Sequence, residues 1–254
     1  MRFYAETLGL SSNAFALLRD LIHERLGLFY EDGKQDLLAD KLTPLVLERG
    51  FDSFLDYYYL LKYDEDAADE WRRVIDALSV QETYFWREID QVRALVDEIV
   101  PAYFARRPAM PLRIWSAACA TGEEPLTIAM ALNEAGWLGR APIEIYATDA
   151  SPAAIAKAQI GVYRERSFRS LPENLRNRYF TPWQPTGRST FEPPQWQVAP
   201  WLRALIRWDV VNLVSDADVQ RMPTMHVIFC RNVFIYFSES SIRRTVRLFG
   251  QVLV

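Results

Sequence analysis

The sequence predicts an α/β protein with a doubly wound parallel sheet, preceded by a separate all-α domain. Residues 1–78 carry apolar side chains at helical spacing and show no strand pattern. Residues 112–117 form an apolar strand that leads through a turn of small residues into a helix, and further apolar strands follow at 143–149 and 225–233. Strands that alternate with helices in this way form parallel sheets with helices on both faces.

Length and composition are those of an ordinary globular protein. The chain has 254 residues, of which 50% are hydrophobic and 24% charged. No apolar run approaches the roughly 20 residues that span a bilayer, and the N-terminus lacks a signal-peptide pattern. We therefore expect a cytoplasmic protein without a transmembrane segment, in which Cys119 and Cys230 are reduced and buried. Two cysteines and two histidines form no metal-ligand cluster, so no metal is expected.

The net charge of −4 is unevenly distributed along the chain. Residues 1–90 contain 10 Lys and Arg against 19 Asp and Glu, a balance of −9, and the remaining residues therefore carry +5. An acidic segment is repelled by DNA, RNA and anionic membranes. We expect no nucleic-acid partner, although the order Asn232…Tyr236 faintly resembles the Asn-Pro-Pro-Tyr of adenine methylases.

Four helices are expected in the first domain, taken as residues 1–78. The first follows possible caps at 11–13, the second runs from about 34 to 49 and ends at Gly50, the third is capped by Asp52 or Ser53, and the fourth covers 64–78.

Residues 79–111 are expected to link the two domains. Tyr84, Phe85 and Trp86 are adjacent, and three aromatic side chains in a row cannot all face one core. Some of them must cover a ligand or another domain. A helix is predicted from 91 to 104, and prolines follow before the α/β domain begins.

The strand and turn at 112–125 organise the second domain, taken as residues 112–254. Glu123, Glu124 and Pro125 open the helix, where carboxylates meet the positive end of the helix dipole. The turn is a poor site for pyrophosphate, because it has one glycine and two carboxylates where a phosphate would bind. S-adenosylmethionine, which carries an adenosine and positive charge but no phosphate, fits such a turn better.

Further strands and an insert complete this domain. Asp149 ends the second strand, the position at which such sheets place the acid that binds ribose hydroxyls. Residues 161–208 are rich in proline and tryptophan. Alternation at 195–198 and 205–208 predicts short antiparallel strands in an inserted subdomain at about 175–208. The last apolar strand ends in polar residues, and Ser238 is expected to cap the final helix.

Several of these motifs together resemble one known family, the chemotaxis receptor methyltransferases or CheR family. They are Thr83…Arg87, the run Trp-Ser-Ala-x-Cys-x-Thr-Gly-Glu-Glu-Pro at 115–125, Ala-Thr-Asp at 147–149, Asn212-Leu213, and Phe-Cys-Arg-Asn-Val-x-Ile-Tyr-Phe at 229–237. The resemblance covers nearly the whole chain. It implies an all-α domain followed by an S-adenosylmethionine-dependent methyltransferase domain with a small antiparallel insert.

The resemblance also implies an activity, a partner and a set of site residues. The activity is methylation of glutamate side chains on the cytoplasmic helices of methyl-accepting chemoreceptors. Arg87 and Tyr236 would flank the transferred methyl group. The implied cofactor-binding residues are Gln81, where asparagine is usual, Thr83, Arg87, Ala117, Glu123, Asp149, Asn212, Leu213, Arg231 and Asn232. Glu124 is interpreted as a helix-start residue.

Two further expectations concern departures from the family. Family members continue with a final β-hairpin, which the given sequence lacks after Val254. An open sheet edge could then cause self-association, and the helix at 240–254 would expose Val246, Phe249, Val252 and Leu253. The alternative function is a regulatory scaffold that binds S-adenosylmethionine but is catalytically impaired.

Overall fold

The first domain is a bundle of four helices. The computed structural model describes residues 8–65, 67–107, 109–184 and 193–254. The helices are α1 (Ser12–Leu26), α2 (Gln35–Glu48), α3 (Phe54–Tyr63) and α4 (Ala67–Leu78). The predicted all-α domain is therefore confirmed. No helix in the described part of the chain is long and apolar enough to cross a membrane.

Local sequence signals fix the ends of these helices. The side chain of Ser11 accepts a hydrogen bond from the Ala14 amide, and Ser53 accepts from the amides of Leu55 and Asp56. Gly27 ends α1 in the left-handed conformation at φ 75°. The bundle encloses its own core, whose fully buried members include Leu18, Ile22, Leu38, Leu42, Tyr57 and Val74.

A long helical segment leads to the second domain. It comprises α5 (Ile89–Ala94), a π-helical turn (Leu95–Ile99) and α6 (Val100–Arg106). The helix predicted at 91–104 is thus present and extends further at both ends. Its buried side chains belong to the core of the α/β domain rather than to that of the bundle.

The α/β domain contains two separate sheets. Its elements are, in order, β1 (Leu112–Ala117), α7 (Glu123–Glu134), β2 (Ile143–Asp149), α8 (Pro152–Ile160), β3 (Val162–Arg164), α9 (Glu173–Tyr179), β4 (Phe180–Trp183), β5 (Gln195–Val198), α10 (Pro200–Ala204), β6 (Ile206–Val210), α11 (Asp216–Gln220), β7 (Val227–Phe229) and α12 (Glu239–Val252). Short 3-10 turns lie at Glu165–Phe168 and Phe234–Tyr236.

The main sheet is parallel and has the order β6-β2-β1-β7. The chain moves outward from β1 to β2 and β6, then returns to place β7 on the other side of β1. This reversal confirms the doubly wound topology. Ligands in such sheets bind beyond the carboxyl ends of the strands where the order reverses.

The small sheet differs in part from the prediction. It is antiparallel with the order β3-β5-β4, so it draws on residues from 162 to 198. The predicted strand at 195–198 belongs to it, but the strand predicted at 205–208 does not. That segment lies in β6 and pairs in parallel with β2. Alternating side chains identify a strand without revealing its partner, which is why the sequence assigned it wrongly.

The final helix is more buried than predicted. Val246 and Leu253 are exposed as expected, but Val252 is buried and Phe249 packs edge-on against Trp115. The amide of Val254 donates to the carbonyl of Met225, which precedes β7. These contacts cover much of the surface expected to be open. Cys119 is buried and Cys230 half-buried, and both are free thiols.

Candidate active site

A cavity of about 680 Å³ lies beyond the carboxyl ends of the main-sheet strands. Segments that follow β1, β2, β6 and β7 line one side of it. The first domain and the interdomain segment line the other. The cavity brings together nine of the predicted site residues: Gln81, Thr83, Arg87, Asp149, Asn212, Leu213, Arg231, Asn232 and Tyr236.

The turn after β1 is held by hydrogen bonds within the protein. Ala118, Ala120 and Gly122 all have positive φ angles, which is unusual for alanine. The Cys119 amide donates to the Thr148 carbonyl at 2.8 Å, and the Ala120 amide donates to the Asp149 carboxylate at 2.9 Å. These two amides therefore do not point freely into the cavity, as they would in a phosphate-binding turn.

Asp149 connects this turn to the start of α8. Its second oxygen accepts a hydrogen bond from the Ser151 amide at 2.9 Å. Burial raises the pKa of the Asp149 carboxyl above its ordinary value, although the hydrogen bonds from Ser151 and Ala120 act in the opposite direction. Because a carboxylate can accept more than two hydrogen bonds, it retains capacity for a ligand hydroxyl in the cavity.

Two predicted residues do not line the cavity. Ala117 is fully buried in β1. Glu123 points away, where its carboxylate accepts hydrogen bonds from Thr121 at 2.7 Å and Ser167 at 3.0 Å. Glu124, interpreted from the sequence as a helix-start residue only, lines the cavity instead. Adjacent helical residues point about 100° apart, so only one of the two carboxylates faces the cavity, and the sequence alone does not determine the rotation of α7 that decides which one.

Arg231 joins three parts of the site. Its guanidinium contacts the carboxylates of Glu124 at 3.1 Å and Glu88 at 3.2 Å, and donates to the Arg87 carbonyl at 2.7 Å. Burial raises the pKa of Glu124, and the hydrogen bond from Arg231 lowers that of Glu88. Arg231 therefore ties the interdomain segment to the end of β7. Its Nε is buried and has no hydrogen-bond partner among the described residues.

The aromatic run divides between the core and the cavity, as expected. Phe85 is fully buried and stacks with Phe168, whereas Tyr84 lines the cavity. Arg87 lies 5.6 Å from the Tyr84 ring and donates to the Glu82 carbonyl at 2.8 Å. Trp86 and Glu88, on either side of Arg87, have positive φ angles. The strained backbone turns the Arg87 side chain toward the cavity.

The first domain closes the cavity through the end of α1, the segment that follows it and the start of α2. Asn212 donates to the Arg25 carbonyl at 2.7 Å, and the Phe29 amide donates to the Tyr236 carbonyl at 2.9 Å. Sequence reasoning missed the cavity-lining residues of this domain, which include Leu26, Leu28, Tyr30, Leu37 and Lys41. The sequence offers only a weak signal for these residues, namely the adjacent aromatic residues Phe29 and Tyr30 shortly after Gly27.

Comparison with known families accounts for both domains. Residues 81–254 match the family described as "CheR methyltransferase, SAM binding domain". Residues 13–79 match "CheR methyltransferase, all-alpha domain". The chain belongs to the CheR methyltransferase family. It is accordingly an S-adenosylmethionine-dependent methyltransferase, and the expected cofactor is confirmed.

Named relatives of this CheR-family chain support the same conclusion. Chemotaxis protein methyltransferase 2 of Vibrio cholerae is 35% identical over 241 residues, which cover 94% of this chain and 80% of that protein. The chemotaxis protein methyltransferase of Escherichia coli is 32% identical over 257 residues, covering 98% and 82%. The relatives are named as methyltransferases, so the alternative of an inactive scaffold is not favoured.

The cavity of this CheR-family chain fits S-adenosylmethionine on its own chemistry. A ligand with phosphates would meet the carboxylates of Glu124 and Asp149 and would find the amides of Cys119 and Ala120 already engaged. A phosphate-free ligand with hydroxyl groups and positive charge avoids both penalties. Asp149 and Glu124 thus place two carboxylates in a cavity whose chemistry suits a ligand with hydroxyl groups and positive charge.

Proposed function

We propose that this chain methylates glutamate side chains on the cytoplasmic helices of chemoreceptors, and that it acts in the cytoplasm. One observation carries the proposal. Arg87 and Tyr236 line the same cavity as Asp149, whereas none of the described residues that line it is a histidine. Such a site suits a nucleophile that needs no general base.

A glutamate carboxylate is that nucleophile. Its unperturbed pKa is about 4.3, so it is ionised at neutral pH before it enters the site. The bound cofactor supplies an electrophilic methyl group on a sulfonium. A carboxylate oxygen forms the new bond to carbon, the carbon–sulfur bond breaks, and its electron pair stays on a sulfur that becomes a neutral thioether.

The site favours this reaction by excluding water. The carboxylate and sulfonium charges cancel as the new bond forms, and a poorly solvated environment favours cancellation over separated, hydrated ions. Apolar side chains from both domains that are buried or half-buried supply that environment, among them Leu26, Leu28, Val233 and Phe237. The protein contributes alignment and desolvation rather than proton transfer.

Individual roles follow from these positions and from the family resemblance. Asp149 accepts hydrogen bonds from the ribose hydroxyls. Gln81, Thr83, Asn212, Leu213 and Asn232 bind the rest of the cofactor. Arg87 and Tyr236 align the substrate carboxylate beside the methyl group. Arg231 acts mainly through Arg87, since its two terminal nitrogens are engaged by the carbonyl of that residue and by two carboxylates.

The test uses a receptor cytoplasmic fragment with glutamates at its methylated positions and a matched fragment with glutamines there. With methyl-labelled S-adenosylmethionine, we expect transfer to the glutamate form alone. Equal labelling of both fragments would contradict the proposed acceptor. Labelling of neither, with the cofactor bound normally, would contradict the proposed substrate.

A further inference from the structure

The hydroxyl group of Tyr30 has no hydrogen-bond partner within the described part of the chain, although the residue is only 9% exposed. Tyr30 follows α1 and lines the cavity from the side of the first domain. Burial raises the pKa of its phenol to about 12, and neither a hydrogen bond nor a nearby charge contributes to this shift. A buried polar group without a partner costs free energy, so its presence calls for an explanation.

The Tyr30 hydroxyl remains open to the cavity. Among the described residues, Nε of Arg231 is the one side-chain polar atom that is fully enclosed and lacks a partner. The Tyr30 oxygen is therefore not enclosed, and the cavity is the space that its side chain lines. Tyr57, also buried in the first domain, differs because it donates to the Glu70 carboxylate at 2.6 Å. We therefore expect the partner of Tyr30 in a molecule that occupies the cavity.

Backbone contacts place Tyr30 beside the segment that carries Tyr236. The amide of Phe29 donates to the Tyr236 carbonyl at 2.9 Å. Leu28 pairs with Phe237 in an antiparallel bridge. The chain at Tyr30 thus runs alongside one of the two residues proposed to align the substrate carboxylate.

The two lysines on the same wall of the cavity differ from Tyr30. Lys34, at the start of α2, is exposed, so water can satisfy its ammonium group. Lys41 donates to the carbonyls of Ala77 and Leu78. Among the described residues of the first domain that line the cavity, Tyr30 is therefore the one buried side-chain donor without a partner.

We propose that the Tyr30 hydroxyl binds the substrate carboxylate and holds it beside the methyl group of the cofactor. The inference rests on the proposed function, in which a glutamate carboxylate enters the cavity as the nucleophile. One carboxylate oxygen accepts the hydrogen bond from Tyr30, while the other forms the new bond to carbon. A hydrogen bond to an ionised acceptor is roughly twice as strong as a neutral one. A neutral phenol also leaves the charge of the nucleophile in place, and Tyr30 transfers no proton.

Tyr30→Phe tests the proposal because it removes the hydroxyl and keeps the ring. With a glutamate-bearing receptor fragment, we expect kcat/KM to fall about tenfold to a hundredfold, since a hydrogen bond to a charged group is lost. The affinity for S-adenosylhomocysteine should stay unchanged. A comparable loss of that affinity would assign the hydroxyl to the cofactor and overturn the proposal, as would a wild-type kcat/KM.

The stability of the free variant gives a second measurement. Because the hydroxyl has no partner in the free protein, Tyr30→Phe should unfold at the same denaturant concentration as the wild type or at a higher one. A lower midpoint would mean that the hydroxyl serves the fold and would contradict the proposal.

Tyr58→Phe is the matched control. Tyr58 is 6% exposed in the same domain, its hydroxyl contacts the Lys62 ammonium at 2.7 Å, and it does not line the cavity. Its kcat/KM should match that of the wild type. An equal fall in both variants would mean that any lost tyrosine hydroxyl in this domain impairs the enzyme, and would overturn the assignment to Tyr30.

Binding of glutamate- and glutamine-bearing fragments, followed by fluorescence anisotropy with S-adenosylhomocysteine present, separates this proposal from the proposed function. If the wild type binds the glutamate fragment without methylating it, the proposed function fails and Tyr30 is judged on affinity alone. Tyr30→Phe should then lose more affinity for the glutamate fragment than for the glutamine fragment, because only glutamate offers a charged acceptor. Equal losses, no loss, or absence of binding by the wild type would overturn the role of Tyr30.

Discussion

The guanidinium of Arg231 donates a 2.7 Å hydrogen bond to the backbone carbonyl of Arg87. The two residues are 144 positions apart in sequence, one at the end of β7 and the other in the interdomain segment. Through this bond the sheet sets the position of the residue proposed to align the substrate. The Glu88 carboxylate contacts both Arg231 and the side-chain amide of Asn232 and completes the connection.

Glu88→Gln should reduce activity more than cofactor affinity. The substitution removes the charge that contacts Arg231, so the backbone around Arg87 is held less firmly. Because the Glu88 side chain is 46% exposed, we expect a loss in kcat of only about threefold to fivefold. Glu98→Gln removes an exposed carboxylate of the same segment with no partner among the described residues, and should have no effect. A parallel loss in the two variants would show that Glu88 has no special role.

Asp149→Asn should weaken binding of S-adenosylhomocysteine by roughly tenfold to a hundredfold, since hydrogen bonds to charged groups contribute about 1.5–3 kcal/mol. Isothermal titration calorimetry measures this directly. Melting curves of the free variant must be compared with those of the wild type, because Asp149 also holds the turn after β1. If affinity is unchanged, Asp149 does not bind the ribose.

Binding of S-adenosylhomocysteine should also depend on pH through the carboxyl group of Asp149. Burial raises the pKa of Asp149, so its proton is taken up at a higher pH than in an ordinary aspartate, whose pKa is about 3.9. Protonation removes hydrogen-bond acceptors, and affinity should therefore decline as pH falls through this raised pKa. In Asp149→Asn the corresponding decline should be absent. A decline of equal size in the variant would assign the titration to another group.

Tyr236→Phe tests the proposed alignment of the substrate. The phenol ring lines the cavity and is 38% exposed, while the backbone carbonyl of Tyr236 is held by Phe29. Loss of one hydrogen bond in the transition state should lower kcat about twofold to twelvefold with little change in cofactor affinity. Steady-state kinetics with calorimetry separates the two quantities. Full activity in the variant would mean that Tyr236 serves packing alone.

Gly122→Ala should lower the free energy of unfolding more than Gly136→Ala does. Gly122 has φ 94°, and a Cβ there would lie 2.9 Å from the Ala158 side chain and 3.0 Å from Trp208. We expect a loss of about 2–4 kcal/mol from backbone strain and overpacking together. Gly136 also has a positive φ, 71°, but a Cβ added there would meet no atom within 4 Å. Gly136→Ala therefore measures the effect of backbone strain without overpacking. Denaturant unfolding should rank the two variants in that order, and equal losses would contradict the packing argument.

Much of the site could be predicted because its residues follow recognisable local signals. The strand, turn and helix at 112–125 and the acid that ends β2 are local patterns, and nine predicted residues line one cavity. The features that could not be predicted depend on tertiary contacts. The rotation of α7 decides between Glu123 and Glu124, and strand pairing moves residues 205–208 from the small sheet to the main one. Residues such as Tyr30 reach the cavity only because the first domain packs over it.

The most direct measurement of the central proposal is the chemical stability of the methylated product. The wild-type chain is incubated with methyl-labelled S-adenosylmethionine and the glutamate-bearing receptor fragment, and the labelled fragment is then treated with mild alkali. Methyl esters of carboxylates hydrolyse under these conditions, so we predict release of the label as methanol. Label that stays on the fragment after alkali would mean transfer to a nitrogen or another stable acceptor, and would contradict methylation of glutamate.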